Sequence, residues 1–121
     1  MTIETTPWAS GDKAAKSLLL KMLAEGITAV SIDFLWAAKS LGLENWAFEE
    51  LKREFDSSDA ATAQLYLNSA LQSAKRSTIE MTQVNELLAE ARYDSTMAHG
   101  TMATLSQIMH SKPIPFAKLT K

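Results

Sequence analysis

Small and apolar residues recur at alternating spacings of three and four through the second half of the chain. The series keeps one register from Ala60 to Met109, and no charged residue occupies any of its positions. Its members are Ala60, Ala63, Leu67, Ala70, Ala74, Ser77, Met81, Val84, Leu88, Ala91, Ser95, Ala98, Met102, Leu105 and Met109. A repeat of about 3.5 residues is typical of helices that pack along a shared seam. We therefore predict helical structure over residues 58–110, after a helix-start signal at residues 56–59.

Two arrangements of this segment are compatible with the pattern. The unbroken register, and the absence of Gly and Pro between Phe55 and His99, favour one long helix, bent near Ser77 or Asp94. A helical hairpin is favoured by further apolar residues, which make the face wider than a two-stranded seam requires. These residues are Tyr66, Leu71, Ile79, Leu87 and Ile108. At this stage the long helix and the hairpin both remain open.

Helical spacing of apolar residues also predicts three short helices within residues 13–55. We expect the first to end at Gly26 and the second at Gly42, because glycine is common immediately after a helix. The third is predicted over residues 45–55. Its apolar side chains are expected to be buried, namely Phe48, Leu51 and Phe55.

The predicted fold class is therefore all-α, a helical bundle with three short N-terminal helices and a long heptad-patterned helix or hairpin. An alternation at Val30, Ile32 and Phe34 is also typical of a strand, but no other segment offers a partner strand. We assign an extended arm to residues 1–12, one domain to residues 13–110 and an extended tail to residues 111–121. Pro113 and Pro115 favour extended backbone in that tail.

Composition narrows the possible chemistry. The 121 residues carry a formal net charge of −2 and contain no cysteine, which excludes disulfides, thiolate metal sites and cysteine nucleophiles. Neutralising phosphates requires clustered Lys and Arg, so an electrostatic nucleic-acid binder is not favoured. No secretory signal or long apolar run is present. We expect a soluble, cytoplasmic protein without a membrane partner.

No catalytic or cofactor motif is present in the sequence. The four glycines are dispersed, so no phosphate-binding loop is formed. His99 and His110 are eleven residues apart, about 16 Å along a helix, which is too far to share one metal ion. We therefore predict that the protein is not an enzyme and holds neither a metal nor a cofactor.

The heptad seam predicts an interface with another protein chain. Its small residues require close neighbours, and a second copy of the chain, first of all as a dimer, is the expected partner. The predicted interface consists of Ala70, Ala74, Met81, Val84, Leu88, Ala91, Ala98 and Met102. Apolar residues outside the seam are further candidate partner contacts, namely Trp8, Trp46, Ile114 and Phe116.

A glycine-centred corner at residues 38–55 has the spacing of a helix-turn-helix. Lys52 and Arg53 would then be nucleic-acid contacts, although the glutamates around them disfavour phosphate binding. We expect a non-catalytic helical interaction protein, such as a small adaptor, an inhibitor or an accessory subunit of a larger assembly. The alternative is a nucleic-acid-associated regulator, or a helical subunit of a nucleoprotein complex, that uses this corner.

Overall fold

A computed structural model describes residues 11–119, which form four α-helices and no strand. Helix α1 covers Asp12–Ser40, α2 covers Glu44–Ser57, α3 covers Ala60–Glu90 and α4 covers Thr96–Met109. The all-α class is confirmed. The predicted order of three short helices and one long element is wrong, because the helices contain 29, 14, 31 and 14 residues.

The two helices predicted on either side of Gly26 are one continuous helix, α1. Gly26 does not adopt the left-handed backbone of a helix stop. A glycine inside a helix costs about 1 kcal/mol relative to alanine, which weakens a helix without ending it. The hydroxyls of Thr28 and Ser31 donate to the carbonyl oxygens of Ala24 and Ile27, at 2.9 and 2.8 Å, so these polar side chains are bonded within the helix.

The chain divides into two compact units, of which the first ends at Ile32 and the second begins at Asp33. In the first unit, the described residues belong to α1 and the loop residue before it. The second unit contains residues 33–40 of α1, the other three helices and the C-terminal tail.

Three of the helices end with the same hydrogen-bonded turn, in which the second residue past the helix is left-handed. This residue is Gly42 after α1, with φ 74°, Arg92 after α3, with φ 60°, and Ser111 after α4, with φ 73°. After α3, the amide of Arg92 donates to Ala89 O at 3.0 Å and the amide of Tyr93 donates to Leu88 O at 2.9 Å. These are the two bonds of a Schellman motif.

The segment over residues 58–110 is therefore a helical hairpin and not one long helix. Helices α3 and α4 are joined by residues 91–95, a loop length typical of antiparallel helix pairs. The sequence did not reveal this turn, because Arg92 occupies a position where glycine is usual. Helix α3 also bends, at Ser73, where φ is −126° and ψ is 16°.

The start of α3 follows the predicted signal. Asp59 is the N-cap, and its side chain accepts a hydrogen bond from the amide of Thr62 at 3.0 Å. The Thr62 hydroxyl in turn accepts from the amide of Asp59 at 3.2 Å, which completes a capping box. This prediction is confirmed.

Helices α3 and α4 pack against each other, and two of their three buried apolar residues are alanines. Ala74 on α3 and Ala98 on α4 are buried, and Leu88 is 4% exposed. Asn85 on α3 donates to the sulfur of Met102 on α4 at 2.9 Å. Small residues allow two helices to approach closely, but they bury little apolar surface per residue.

Helix α2 does not bury the aromatic side chains that its sequence predicted. Ala47 is fully buried and Leu51 is half-buried, but Phe48 and Phe55 are exposed. The predicted burial of these two phenylalanines is wrong. The helix also begins one residue before the predicted start, at Glu44, after Leu43, which provides no side-chain cap.

We predict that Arg92→Gly stabilises the chain. A left-handed backbone at a non-glycine residue destabilises the folded chain by about 1–2 kcal/mol. Glycine removes this strain, but it is also more flexible in the unfolded chain, which offsets part of the gain in stability. We expect a net gain of about 0.5–1 kcal/mol, measured by urea unfolding. The matched control, Glu80→Gly at an exposed position inside α3, should destabilise the chain by about 1 kcal/mol. A loss of stability in Arg92→Gly would contradict the role assigned to this turn.

Candidate interaction surface

A buried carboxylate connects α1 to the turn before α4. Asp33 is 6% exposed, and one of its oxygens, Oδ2, accepts hydrogen bonds from Ser95 Oγ at 2.6 Å and from the amide of Met97 at 3.1 Å. The hydroxyl of Tyr93 donates to the other oxygen, Oδ1. Ser95 is also the N-cap of α4, since its Oγ accepts from the amide of Ala98 at 3.0 Å. We call Asp33, Tyr93, Ser95 and Met97 the Asp33 cluster.

The Asp33 cluster keeps its carboxylate ionised. Burial by itself would raise the pKa of Asp33, but the hydrogen bonds from Ser95, Tyr93 and Met97 outweigh burial and hold this pKa below its ordinary value of 3.8. Burial and the hydrogen bond to Asp33 raise the pKa of Tyr93 to about 12. The N-terminal end of α4 adds a favourable dipole for the negative charge.

A second, exposed cluster connects α2 to α3. The hydroxyl of Tyr66 donates to Glu54 Oε2, and Ser58 Oγ donates to the same oxygen at 3.1 Å. These bonds lower the pKa of Glu54, and the bond to Glu54 raises the pKa of Tyr66. Both clusters therefore combine a carboxylate with a tyrosine and a serine. The Asp33 cluster joins α1 to the start of α4, and the exposed cluster joins α2 to α3.

The chemistry of the Asp33 cluster supports a structural role. A carboxylate whose pKa is lowered is a weak general base near neutral pH. Ser95 donates its proton to this carboxylate and accepts from a helix amide, so its oxygen is engaged on both sides. The cluster holds residues 33–40 of α1 against the α3–α4 turn, and this position determines where the aromatic residues of α1 lie.

Aromatic side chains gather at the corner between α1 and α2. The rings of Phe34 and Trp46 lie 6.4 Å apart between centroids, tilted by 60°. Trp36 is 61% exposed and Trp46 is 55% exposed. Phe48, on the same helix as Trp46, is exposed and has Lys52 Nζ 4.7 Å from its ring centroid. Trp36 and Phe48 each lie two residues further along the same helices, on a different side from Phe34 and Trp46. We call Phe34 and Trp46 the aromatic corner.

The residues predicted as nucleic-acid contacts are engaged with neighbouring glutamates. Lys52 Nζ lies 2.9 Å from Glu49 Oε2, and Arg53 Nη1 lies 2.6 Å from Glu50 Oε1. Both are ion pairs within one helix turn. The charges of Lys52 and Arg53 are therefore balanced locally, and α2 presents no net positive face.

The C-terminal tail contacts α3 through its backbone. Gln64 Nε2 donates to Phe116 O at 2.8 Å, and the amide of Lys118 donates to Asn68 Oδ1 at 2.7 Å. Ile114 is half-buried, whereas the Phe116 side chain is 85% exposed. Of the predicted partner contacts, Trp46 and Phe116 are thus exposed. Trp8 lies outside the described residues.

The predicted seam interface lies along the contact between α3 and α4. Three of its residues are buried, four are half-buried and Val84 is exposed. The buried ones are Ala74, Leu88 and Ala98, and the half-buried ones are Ala70, Met81, Ala91 and Met102. Packing within the chain already covers most of this face. Its use by another chain stays a prediction.

The two histidines contact different partners. His99 Nε2 lies 2.8 Å from Asp94 Oδ1, and His110 Nδ1 lies 2.7 Å from Ser106 O. Within residues 11–119, no group of three His, Asp or Glu side chains could hold a metal ion.

An open groove of about 570 Å³ lies beside the α3–α4 turn, lined among others by Arg92, His99 and Met102.

Comparison of the chain with protein-family models, with curated proteins and with solved structures found no match. No helix in the described part of the chain has the length and apolar character required to span a membrane. The function is therefore argued from the geometry of the molecule.

One feature of the sequence indicates the Asp33 cluster, although the spacing of apolar residues does not. Asp33 lies between Ile32 and Phe34, in an otherwise apolar stretch of α1. An acidic residue in such a stretch requires hydrogen-bond donors from elsewhere in the chain if it is buried. Nothing in the local pattern identifies Tyr93 and Ser95 as those donors, because they follow 60 and 62 residues later.

We expect Asp33→Ala to destabilise the second unit by about 3 kcal/mol. The substitution leaves the hydroxyls of Tyr93 and Ser95 and the amide of Met97 without their acceptor in a buried place. Urea unfolding measures the loss. The control is Asp94→Ala, an exposed carboxylate on the same turn, which should cost less than about 0.5 kcal/mol. Equal effects of the two substitutions would show that the cluster does not hold the helices together.

Tyr93 should make the free energy of unfolding decrease at alkaline pH. In the folded chain its pKa is about 12, compared with 10.0 for an ordinary tyrosine, so the unfolded chain releases this proton first. The stabilisation is complete below pH 10 and is lost as the pH rises through 12. Tyr93→Phe should remove most of this decline in urea midpoints between pH 9 and 12. Tyr66→Phe, at the exposed cluster, should remove less. A decline unchanged in Tyr93→Phe would refute the assignment.

Proposed function

We propose that this chain is a non-catalytic helical interaction protein, such as an adaptor, an inhibitor or an accessory subunit, that packs its helices against another protein chain. One observation carries this proposal. Apart from Leu88, every buried hydrophobic residue among residues 11–119 is an alanine, whereas most large apolar side chains are exposed. A chain that folds as a free monomer usually buries its Leu, Ile, Phe and Met side chains.

The exposed apolar residues are grouped, which supports an interaction role. Single exposed apolar residues are ordinary on protein surfaces, but contiguous patches of them mark interaction sites. One group is the aromatic corner of the second unit. A second group follows α1 through the first unit, from Leu18 to Ile32. Covering either group with another protein removes apolar surface from water at about 25 cal/mol per Å².

The aromatic corner has the composition of a protein-binding hot spot. Tryptophan and other aromatic residues are enriched at the centres of protein interfaces, where they supply large contact area with few rotatable bonds. Trp46 is 55% exposed beside Phe34, and the bond between the Asp33 carboxylate and the α4 N-terminus holds this part of α1 in place. A surface held in position loses less conformational entropy when a partner binds.

Electrostatics favour a protein partner over nucleic acid. The cations of α2, Lys52 and Arg53, are paired with Glu49 and Glu50, and Glu44 and Glu54 add further negative charge. Binding to nucleic acid requires unpaired Lys and Arg side chains, which neutralise the phosphates and so release the counterions held by the nucleic acid. A basic or neutral apolar protein surface is the complementary partner for this corner.

The proposal can be tested by photo-crosslinking in cells that express the chain. A benzophenone amino acid at Trp46 should form covalent adducts with one defined protein. Phe34→Ala, introduced beside the label, should reduce these adducts strongly while circular dichroism shows that the helices persist. The control label replaces Gln107, which is exposed near the C-terminal end of α4, about 15 Å along that helix from Met97 of the Asp33 cluster.

Two outcomes would overturn the proposal. Adducts of the Trp46 label with nucleic acid would support the alternative that the glycine-centred corner at residues 38–55 contacts a nucleoprotein complex. The absence of any adduct specific to Trp46, in a chain that is folded in the same cells, would exclude the aromatic corner as a protein interface.

A further inference from the structure

The C-terminal tail, residues 111–119, turns back at the end of α4 and lies against α3. Together with the two helices it bounds an open groove of about 430 Å³. The lining of this groove includes Leu67 and Ala70 on α3, Ile108 on α4 and Ile114 on the tail. We call it the tail groove, and all of its walls belong to the second unit.

Two amide side chains of α3 hold the main chain of the tail. Gln64 Nε2 donates to Phe116 O at 2.8 Å, and the amide of Lys118 donates to Asn68 Oδ1 at 2.7 Å. Gln64 Nε2 also donates to Asn68 Oδ1 at 2.9 Å, so these two side chains orient each other. Both bonds to the tail are exposed, and water can replace an exposed hydrogen bond with little change in free energy.

The tail holds one residue in an unfavourable conformation. Phe116 has φ 65°, in the left-handed region that residues other than glycine rarely adopt. Its side chain is 85% exposed, so burial of the ring does not compensate this strain. Among the apolar residues of the tail, only Ile114 and Ala117 are half-buried. The strain and the small burial both reduce the free energy that keeps the tail in place.

The tail does not fill the space between itself and the helices. Leu67, Ala70 and Ile108 are only half-buried, and the tail groove remains open beside them. A well-packed protein interior has few voids larger than a water molecule. Segments with few buried apolar contacts and exposed backbone hydrogen bonds open at a much smaller free energy than the whole chain. The tail has both properties.

These observations distinguish the tail from the helices on which it lies. We propose that residues 112–118 form a displaceable strap, which opens and closes the tail groove while α3 and α4 stay folded. In the open state, Gln64 can donate to, and Asn68 can accept from, the main chain of another segment. The strap lies on a different surface from the aromatic corner, so it goes beyond the proposed function and does not depend on it.

Hydrogen exchange of the unmodified chain tests whether the strap opens by itself. We expect the amide of Lys118 to be protected, but to exchange at least tenfold faster than the amide of Leu88 in α3, after correction for intrinsic rates. Low urea concentrations should leave the exchange of Lys118 unchanged, because a local opening exposes little new surface. Equal protection of the two amides, or no protection of Lys118, would overturn the strap.

Phe116→Gly should favour the closed strap. Glycine adopts the left-handed backbone without strain, and the exposed ring makes little contact that could be lost, so protection of the Lys118 amide should rise at least twofold. The control, Ala117→Gly, places glycine at the next residue, where φ is not positive, and should lower this protection. A fall in Phe116→Gly as large as that in Ala117→Gly would contradict a strained strap.

A peptide with the sequence of residues 111–119 tests whether the tail can be displaced. In the full chain, Ile114→Asp places a charge at a half-buried position and should keep the strap open. We expect the peptide to bind this variant about tenfold more tightly than the unmodified chain, whose own tail competes for the groove. Binding is measured from the NMR shifts of Leu67 and Ile108. Peptide concentrations up to about 10 mM are required, because a tethered segment competes at millimolar effective concentration.

Two further variants, each combined with Ile114→Asp, locate the bound peptide. Asn68→Ala removes the acceptor of the Lys118 amide and should weaken peptide binding at least threefold. Gln83→Ala, at an exposed position further along α3, should change it less than twofold. Circular dichroism establishes that each variant keeps its helices. Equal affinity of the peptide for the unmodified and Ile114→Asp chains, or no binding to the latter, would overturn the displaceable strap.

Discussion

A single buried carboxylate determines how the second unit is held together. Asp33 projects from an apolar stretch of α1 and accepts three hydrogen bonds from the segment that begins α4. A carboxylate is stable away from water only where such donors replace its hydration. Removing the donors would leave an uncompensated charge, so the C-terminal part of α1 and the turn at Tyr93 and Ser95 must remain together. The aromatic corner depends on this contact, because Phe34 directly follows Asp33.

The hydrogen-bonded clusters matter because the apolar core is thin. Two of the three buried apolar residues on α3 and α4 are alanines, Ala74 and Ala98, which allow close approach but withdraw little apolar surface from water. Larger apolar residues are consequently left on the outside. The polar contacts place the helices, and many of the larger apolar side chains stay exposed. This division of roles explains why a chain with 46% hydrophobic residues shows so small an interior.

Local signals predicted what local interactions decide. The Asp59 cap and the small residues of the α3–α4 contact were visible as a capping signal and as a heptad pattern. Gly26 misled the prediction, because a glycine weakens a helix by only about 1 kcal/mol and the surrounding helix continues through it. Arg92 concealed the hairpin, because its left-handed backbone is imposed by the hydrogen bonds of the turn and not by its own preference.

The sequence by itself determined the helical class, the start of α3 and the set of residues that share its inner face. These properties depend on contacts within a few residues, which the spacing of side chains records directly. The tertiary structure alone decided that α4 covers that face and that Asp33 finds its donors in Tyr93 and Ser95. It also decided that the aromatic residues of the α1–α2 corner remain outside. Periodicity states which residues lie on one side of a helix, but only the folded chain determines what lies against them.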